Sequence, residues 1–153
     1  MKYSVPGVGE ITLDTIILDL NGTLSVGGTI VDGVKQRIDA LKKNGFTLVL
    51  FTGNTRGDAD DIANELGIEW VQAHTAEDKR DLALQRDPER CVSIGNGRID
   101  KGLMEVVSLA IVTLQAEGIH IETFQASDIM VPTINDALDL LIDNQRLIAT
   151  LRK

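Results

Sequence analysis

A single cysteine, Cys91, leaves the chain without an internal disulfide, and it reads as a small buried apolar residue. Aromatic residues make up only 3% of the sequence, too few for a platform on which single-stranded bases would stack. Positive charge is scarce. Lys and Arg number 15 against 23 Asp and Glu, so the net charge is −8. Such a surface repels a phosphate backbone and argues against a nucleic-acid partner. No apolar run approaches the roughly 18 residues of a membrane span. Glu105 divides the richest stretch, Leu103 to Leu114. Pro6, Gly7, Gly9, Glu10 and Asp14 interrupt any signal-peptide core. These absences lead us to expect a cytoplasmic protein with no membrane partner. No linker, low-complexity tract or repeat appears, so residues 1–153 are read as one domain. Its 43% hydrophobic and 25% charged residues are the composition of a globular fold.

Short apolar runs alternate with helix-patterned segments, which predicts an α/β fold with a mostly parallel sheet. Residues 2–5 and 10–14 flank Pro6-Gly7-Val8-Gly9 and predict a small N-terminal hairpin. Thr15 to Leu20, Phe46 to Phe51, Glu69 to Ala73 and Cys91 to Ile94 predict strands. Val26 to Ile30, containing Gly27-Gly28, predicts a tight turn or flap. Helical spacing appears at Val34, Ile38 and Leu41, again from Ala59 to Leu66, and across 76–86 before Pro88. Ser108 to Leu114 fits either a strand or a continuing helix. Asp128 to Val131 predicts a short edge strand. A helical pattern runs from Ile134 to Arg152. It would cover the sheet or face a second subunit, which leaves a homo-oligomer open.

In an open parallel sheet, ligands bind beyond the carboxyl ends of the strands. Those ends carry Asp19-Leu20-Asn21-Gly22-Thr23, Thr52-Gly53-Asn54 and Gly95-Asn96-Gly97-Arg98-Ile99-Asp100. Lys79 lies on a helix between the last two. Taken singly, the first three are ordinary turn sequences, and Lys79 is a solvated helix lysine. His74 and His120 read as surface or packing residues. The order of the four elements carries the stronger signal.

That order resembles the haloacid dehalogenase superfamily: a strand followed by Asp-x-x-Gly-Thr, a strand ending in Thr-Gly, a Lys, then a Gly-x-Gly segment closed by Asp. The Asp-x-Asn-Gly-Thr and Gly-Asn-Gly-Arg forms are similar to soluble proteins related to the phosphorylation domain of P-type ATPases. The resemblance implies a three-layer Rossmann-like core. The intervals from Thr23 to Thr52 and from Asn54 to Lys79 are too short for a cap domain, so a capless member is expected. The resemblance also assigns roles. Asp19 is the nucleophile that becomes an aspartyl phosphate. Thr52, Gly53, Asn54 and Lys79 bind the phosphate, and Gly22 permits the turn beside the nucleophile. Mg²⁺ is the expected cofactor, with Asp19, the Asn21 backbone carbonyl and Asp100 as ligands and Asn96 where a ligating Asp is common. Hydrolytic members carry Asp at the position of Asn21, and an amide performs no acid–base work. The implied activity is therefore a slow phosphatase or phosphotransferase acting on a small phosphorylated substrate or a phosphoprotein. A non-catalytic phospho-acceptor module is the alternative. Ile99 departs from the Asn usual before the final Asp.

Overall fold

A computed structural model describes residues 1–153. The chain opens with a hairpin of β1 (Lys2–Val5) and β2 (Gly9–Thr12). Strand β3 (Thr15–Leu18) is followed by a small flap, β4 (Ser25–Val26) and β5 (Thr29–Ile30). Next come α1 (Val34–Lys43), β6 (Thr47–Thr52), α2 (Ala59–Leu66), β7 (Glu69–Gln72) and α3 (Ala76–Leu84). The second half holds β8 (Cys91–Gly95), α4 (Lys101–Met104), β9 (Leu109–Thr113) and α5 (Ile121–Gln125). It closes with β10 (Ile129–Val131), α6 (Ile134–Ile142) and α7 (Asn144–Leu151).

Six strands form one sheet in the order β10-β9-β8-β3-β6-β7, and every neighbouring pair is parallel. Such a sheet is covered on both faces, which is why its inner strands read as unbroken apolar runs. Successive side chains still alternate between faces. Ile16, Leu18, Leu48, Leu50, Val92 and Ile94 enter the larger core, with Ile38 of α1, Ile62 of α2, Leu138 of α6 and Leu147 of α7. Ile17, Val49, Phe51 and Cys91 enter the smaller core, closed by Ala83 of α3 and Leu103 of α4. The result is the expected three-layer α/β sandwich. Strand order reverses at β3, which lies between β6 and β8, so the crevice of the fold opens at the end of the first sheet strand.

Two sequence readings need adjustment. Ser108 to Leu114 resolves as a strand, β9, because α4 stops at Met104. The helical pattern from Ile134 to Arg152 is two helices. Asp143 leaves helical geometry at φ −100°, ψ 94°, and its Oδ1 accepts from the Gln145 amide at 3.0 Å to cap α7. Across the larger core, Arg37 of α1 forks onto Asp139 of α6 at 2.8 and 3.1 Å. Cys91 is buried as expected, and burial pushes its thiol up to about 11, so it stays protonated and unreactive at neutral pH. No helix is long and apolar enough to cross a membrane.

Candidate active site

Asp19 directly follows β3, where its amide donates to the Ile94 carbonyl of β8 at 3.0 Å. This bond fixes the backbone at the reversal of strand order. The Asp19 side chain is 10% exposed. Lys79 is fully buried, not the solvated lysine that its local sequence suggests. The cause is the start of α3. Thr75 and Asp78 form a reciprocal capping box, and Asp78 also accepts from the His74 amide. The fixed first turn aims Lys79 at the sheet. Its Nζ lies 2.7 Å from Asp19 Oδ1 and 2.6 Å from Asp100 Oδ1.

Asp100 is fully buried in the turn after β8. Its Oδ2 accepts from the amides of Asn96 and Gly97 at 3.0 and 2.9 Å. Gly95 makes room for it, since a Cβ there would lie 2.5 Å from Asp100 Oδ2. Two buried carboxylates thus share one ammonium. Burial, and then the charge of Asp100, raise the Asp19 carboxyl to about 6 against the opposing pull of Lys79. For Lys79, burial acts to lower the value, but the charges of Asp100 and Asp19 outweigh it, and the ammonium is held above its ordinary range.

The raised Asp19 value has a consequence for stability. A carboxyl whose folded value exceeds its unfolded one contributes stability below the unfolded value, near 4, and loses it as pH rises through about 6. Asp19→Asn removes that penalty, so it is expected to stabilise the fold at pH 8 by at most about 3 kcal/mol. Thermal unfolding at pH 4 and pH 8 tests this. Equal shifts at the two pH values would refute it.

Thr52 ends β6 beside Asp19 and is 2% exposed. The Asn54 amide donates back to its Oγ1 at 3.1 Å. That amide is therefore engaged within the loop rather than free in the cleft, while the Thr52 hydroxyl proton remains available to a ligand. Asn54 itself sits in the left-handed region at φ 54°, and its Oδ1 accepts from Ala59 to cap α2. Gly22 has φ 77°, a conformation that the turn after Asp19 takes and that glycine adopts without strain.

Asp19, Asn21, Thr52, Gly53, Asn96, Gly97 and Asp100 line one cleft of about 190 Å³. That volume is small for an organic ligand pocket and suits a tetrahedral anion, with the rest of any ligand outside. Ile99 lines it too, and further residues surround it. Thr23 Oγ1 lies 3.4 Å from Asp19 Oδ2 and 3.3 Å from Asn96 Oδ1. Thr55, His74 and Glu117 line the cleft. His74 is exposed, as its sequence reading holds, yet it stands on the cleft wall. Thr55 and Glu117 carry no motif signal. Both follow strands, so the rule of strand ends reaches them once β6 and β9 are placed.

The donor set fits a hard dication. Lys79 takes one lone pair of Asp19 Oδ1 and leaves that oxygen a second for an ion, while Oδ2 has only a long contact with Thr23. The Asn21 Oδ1 is buried without a hydrogen-bond partner. Oxygen donors of this kind, one or two of them carboxylates, suit Mg²⁺ with its retained waters.

No family model matches the chain. An uncharacterized protein of Methanocaldococcus jannaschii is 40% identical over 72 residues, covering 47% of this chain and 77% of that protein. A soluble P-type ATPase-like phosphatase of the same organism is 26% identical across 91% of this chain. The chain spans only about half of that relative, 54% of its length. Among solved structures, the 3-deoxy-D-manno-octulosonate 8-phosphate phosphatase of Moraxella catarrhalis superposes with a TM-score of 0.70. It is 20% identical, with 92% of this chain and 94% of that one covered, and was crystallised with magnesium and phosphate. The chain therefore has the haloacid dehalogenase fold. The flap of β4 and β5 follows the turn after Asp19, and none of its residues lines the cleft. Arg56 reaches it from the Thr52 loop, with a guanidinium nitrogen 3.4 Å from the position a Cβ on Gly28 would take.

Proposed function

We propose that the chain transfers phosphoryl groups through an aspartyl phosphate on Asp19, in a Mg²⁺-dependent reaction whose hydrolytic step is slow. The observation that carries this reading is the Lys79 ammonium bridging Asp19 and Asp100 at 2.7 and 2.6 Å. It leaves Asp19 Oδ2 as the oxygen that faces a phosphate ester. Asp19 must be ionised to attack, which its value near 6 permits at neutral pH. Oδ2 forms a bond to phosphorus as the ester oxygen leaves with the bond pair. The Thr52 hydroxyl donates to a non-bridging oxygen, and Lys79 offsets negative charge on the transferred group. The Asn21 backbone carbonyl, Asp19 and Asp100 would hold Mg²⁺, which would supply further charge neutralisation on the phosphoryl oxygens. In the second half, water attacks phosphorus, phosphate leaves and the Asp19 carboxylate returns.

That second half needs a proton acceptor for the water. Asn21 cannot serve, so the phosphoenzyme is expected to accumulate. This favours the phospho-acceptor reading as the second one, in which the phosphorylated form signals to a partner. A small phosphorylated compound or a phosphoprotein, met in the cytoplasm, is the proposed partner in either case.

Fluoroberyllate mimics a phosphoryl group on a carboxylate and tests the shared step. An adduct seen by fluorine NMR with Mg²⁺, and lost in Asp19→Asn, is the expected result. It should also weaken as pH falls below about 6, where Asp19 takes up a proton. Absence of an adduct in the unaltered chain overturns the assignment of the nucleophile.

A further inference from the structure

The loop after β9 brings to the cleft a carboxylate that the sequence pattern does not announce. The Glu117 side chain lies so close over Gly22 that a Cβ on that glycine would collide with Oε2. The Asn96 Nδ2 lies 2.9 Å from the same point. No hydrogen bond or ion pair engages the Glu117 carboxylate.

The loop itself is firmly held. Gln115 sits in the left-handed region at φ 39°. Its amide donates to Pro132 at 2.8 Å, and its Oε1 accepts from Ile134 at the start of α6 at 2.8 Å. The Gly118 carbonyl accepts from Asn96 Nδ2 at 3.0 Å, and the His120 amide donates to the Asn96 carbonyl at 2.9 Å. Asn96 therefore uses both ends of its side chain within the protein: Oδ1 faces Thr23, and Nδ2 braces the loop. A carboxylate at position 96 has no proton to give to Gly118 and could not form that brace.

We propose that Glu117 is the outer carboxylate of the cation site, positioned by Asn96 and acting on Mg²⁺ through the ion's bound water. The inference rests on the phosphoryl-transfer reading for the identity of the ion. The charge balance supports it: Asp19, Asp100 and Lys79 together carry −1, and Glu117 brings the cleft to −2, the match for a dication. No three acidic or imidazole side chains converge closely enough to ligate one ion directly. Contact through water is consistent with that spacing, since Mg²⁺ keeps several waters in protein sites. The buried Asn21 Oδ1, without a partner, adds a neutral acceptor on the same cleft. In this arrangement Asn96 has exchanged the role of ligand for that of brace, and the displaced charge sits on Glu117.

The test is Mn²⁺ binding to the full chain, followed by electron paramagnetic resonance, with Mg²⁺ competition. Glu117→Gln is expected to weaken binding about 10-fold, the scale of losing an outer-shell partner, with the metal-free melting temperature unchanged. In an Asn96→Asp background the brace is gone, so Glu117→Gln should then cost less than about 3-fold. Unchanged Mn²⁺ affinity in Glu117→Gln overturns the inference, as does a fully additive loss in the double variant. Fluoroberyllate at saturating Mg²⁺ separates the two proposals. If Glu117→Gln binds Mn²⁺ normally and the adduct forms, Glu117 is not part of the site and phosphoryl transfer stands. If Mn²⁺ binding depends on Glu117 but the unaltered chain forms no adduct, the cation site stands and the nucleophile assignment falls.

Discussion

Asn21→Asp is expected to raise the rate of phosphate release by about two to four orders of magnitude, the usual contribution of a positioned general acid–base group. Asparagine and aspartate are nearly the same size, so the change alters chemistry with little change in shape. The amide now reaches Thr55 at 3.5 Å through Nδ2, while Oδ1 has no partner. A carboxyl at that place would face the same cleft as Asp19, the proposed nucleophile, and could give a proton to the leaving oxygen and later take one from water. The phosphoenzyme should become short-lived as turnover rises. Rapid-quench measurement of phosphate release from a panel of phosphate esters reports both effects. A variant that still forms the fluoroberyllate adduct but releases phosphate no faster than the unaltered chain would show that Asn21 does not limit hydrolysis.

Lys79→Met should destabilise the fold by about 3–5 kcal/mol at pH 8, the cost of removing one partner from a buried ionic group. Folded domains have only about 5–15 kcal/mol in total, so this one side chain decides whether much of the chain stays folded. Methionine fills nearly the same volume, which leaves electrostatics as the main change. Asp19 and Asp100 would face each other in the buried site without the ammonium that now touches both. Protonation relieves that repulsion, so the deficit should shrink at pH 5. Asp19→Asn in the same chain should recover part of the loss by removing one of the two charges. Urea unfolding of the single and double variants at both pH values tests the expectation. A single variant as stable as the unaltered chain at pH 8 would mean that the lysine contributes no net electrostatic stabilisation.

Most of the sheet was legible because its strands are buried on both faces. TIILDL and FTLVLF have no amphipathic pattern to confuse with a surface helix, and turn residues bound them. Periodicity alone could not decide Ser108 to Leu114, since a fully apolar run of that length suits a strand or a buried helix. That ambiguity hid Glu117, which stands at a strand end only when β9 is a strand. The break at Asp143 carries no Gly or Pro to mark it, and the cap that makes it depends on side-chain geometry. Helix α5 is five residues long, too short for a periodic signal. Lys79 was legible by order among the motifs and illegible by its own surroundings, because its burial follows from the cap at Thr75 and Asp78 rather than from an apolar neighbourhood. The placement of His74 on the cleft wall depends on β7 lying next to β6, a pairing no local pattern specifies.

The strand that leads to Asp19 is sandwiched between partners from distant parts of the chain. Thr15 of β3 pairs with Thr47 on one side and with Cys91 on the other. Such long-range parallel pairings form slowly. A fragment that has joined β3 to β6 and β7 lacks the Ile94 carbonyl that fixes Asp19 and the carboxylate that shares its lysine. During refolding, the ability to capture fluoroberyllate should return with the docking of β8 and not before it. Chemical competence in this chain is thus a late event of folding, and an inhibitor that binds the cleft would report on the completed sheet alone.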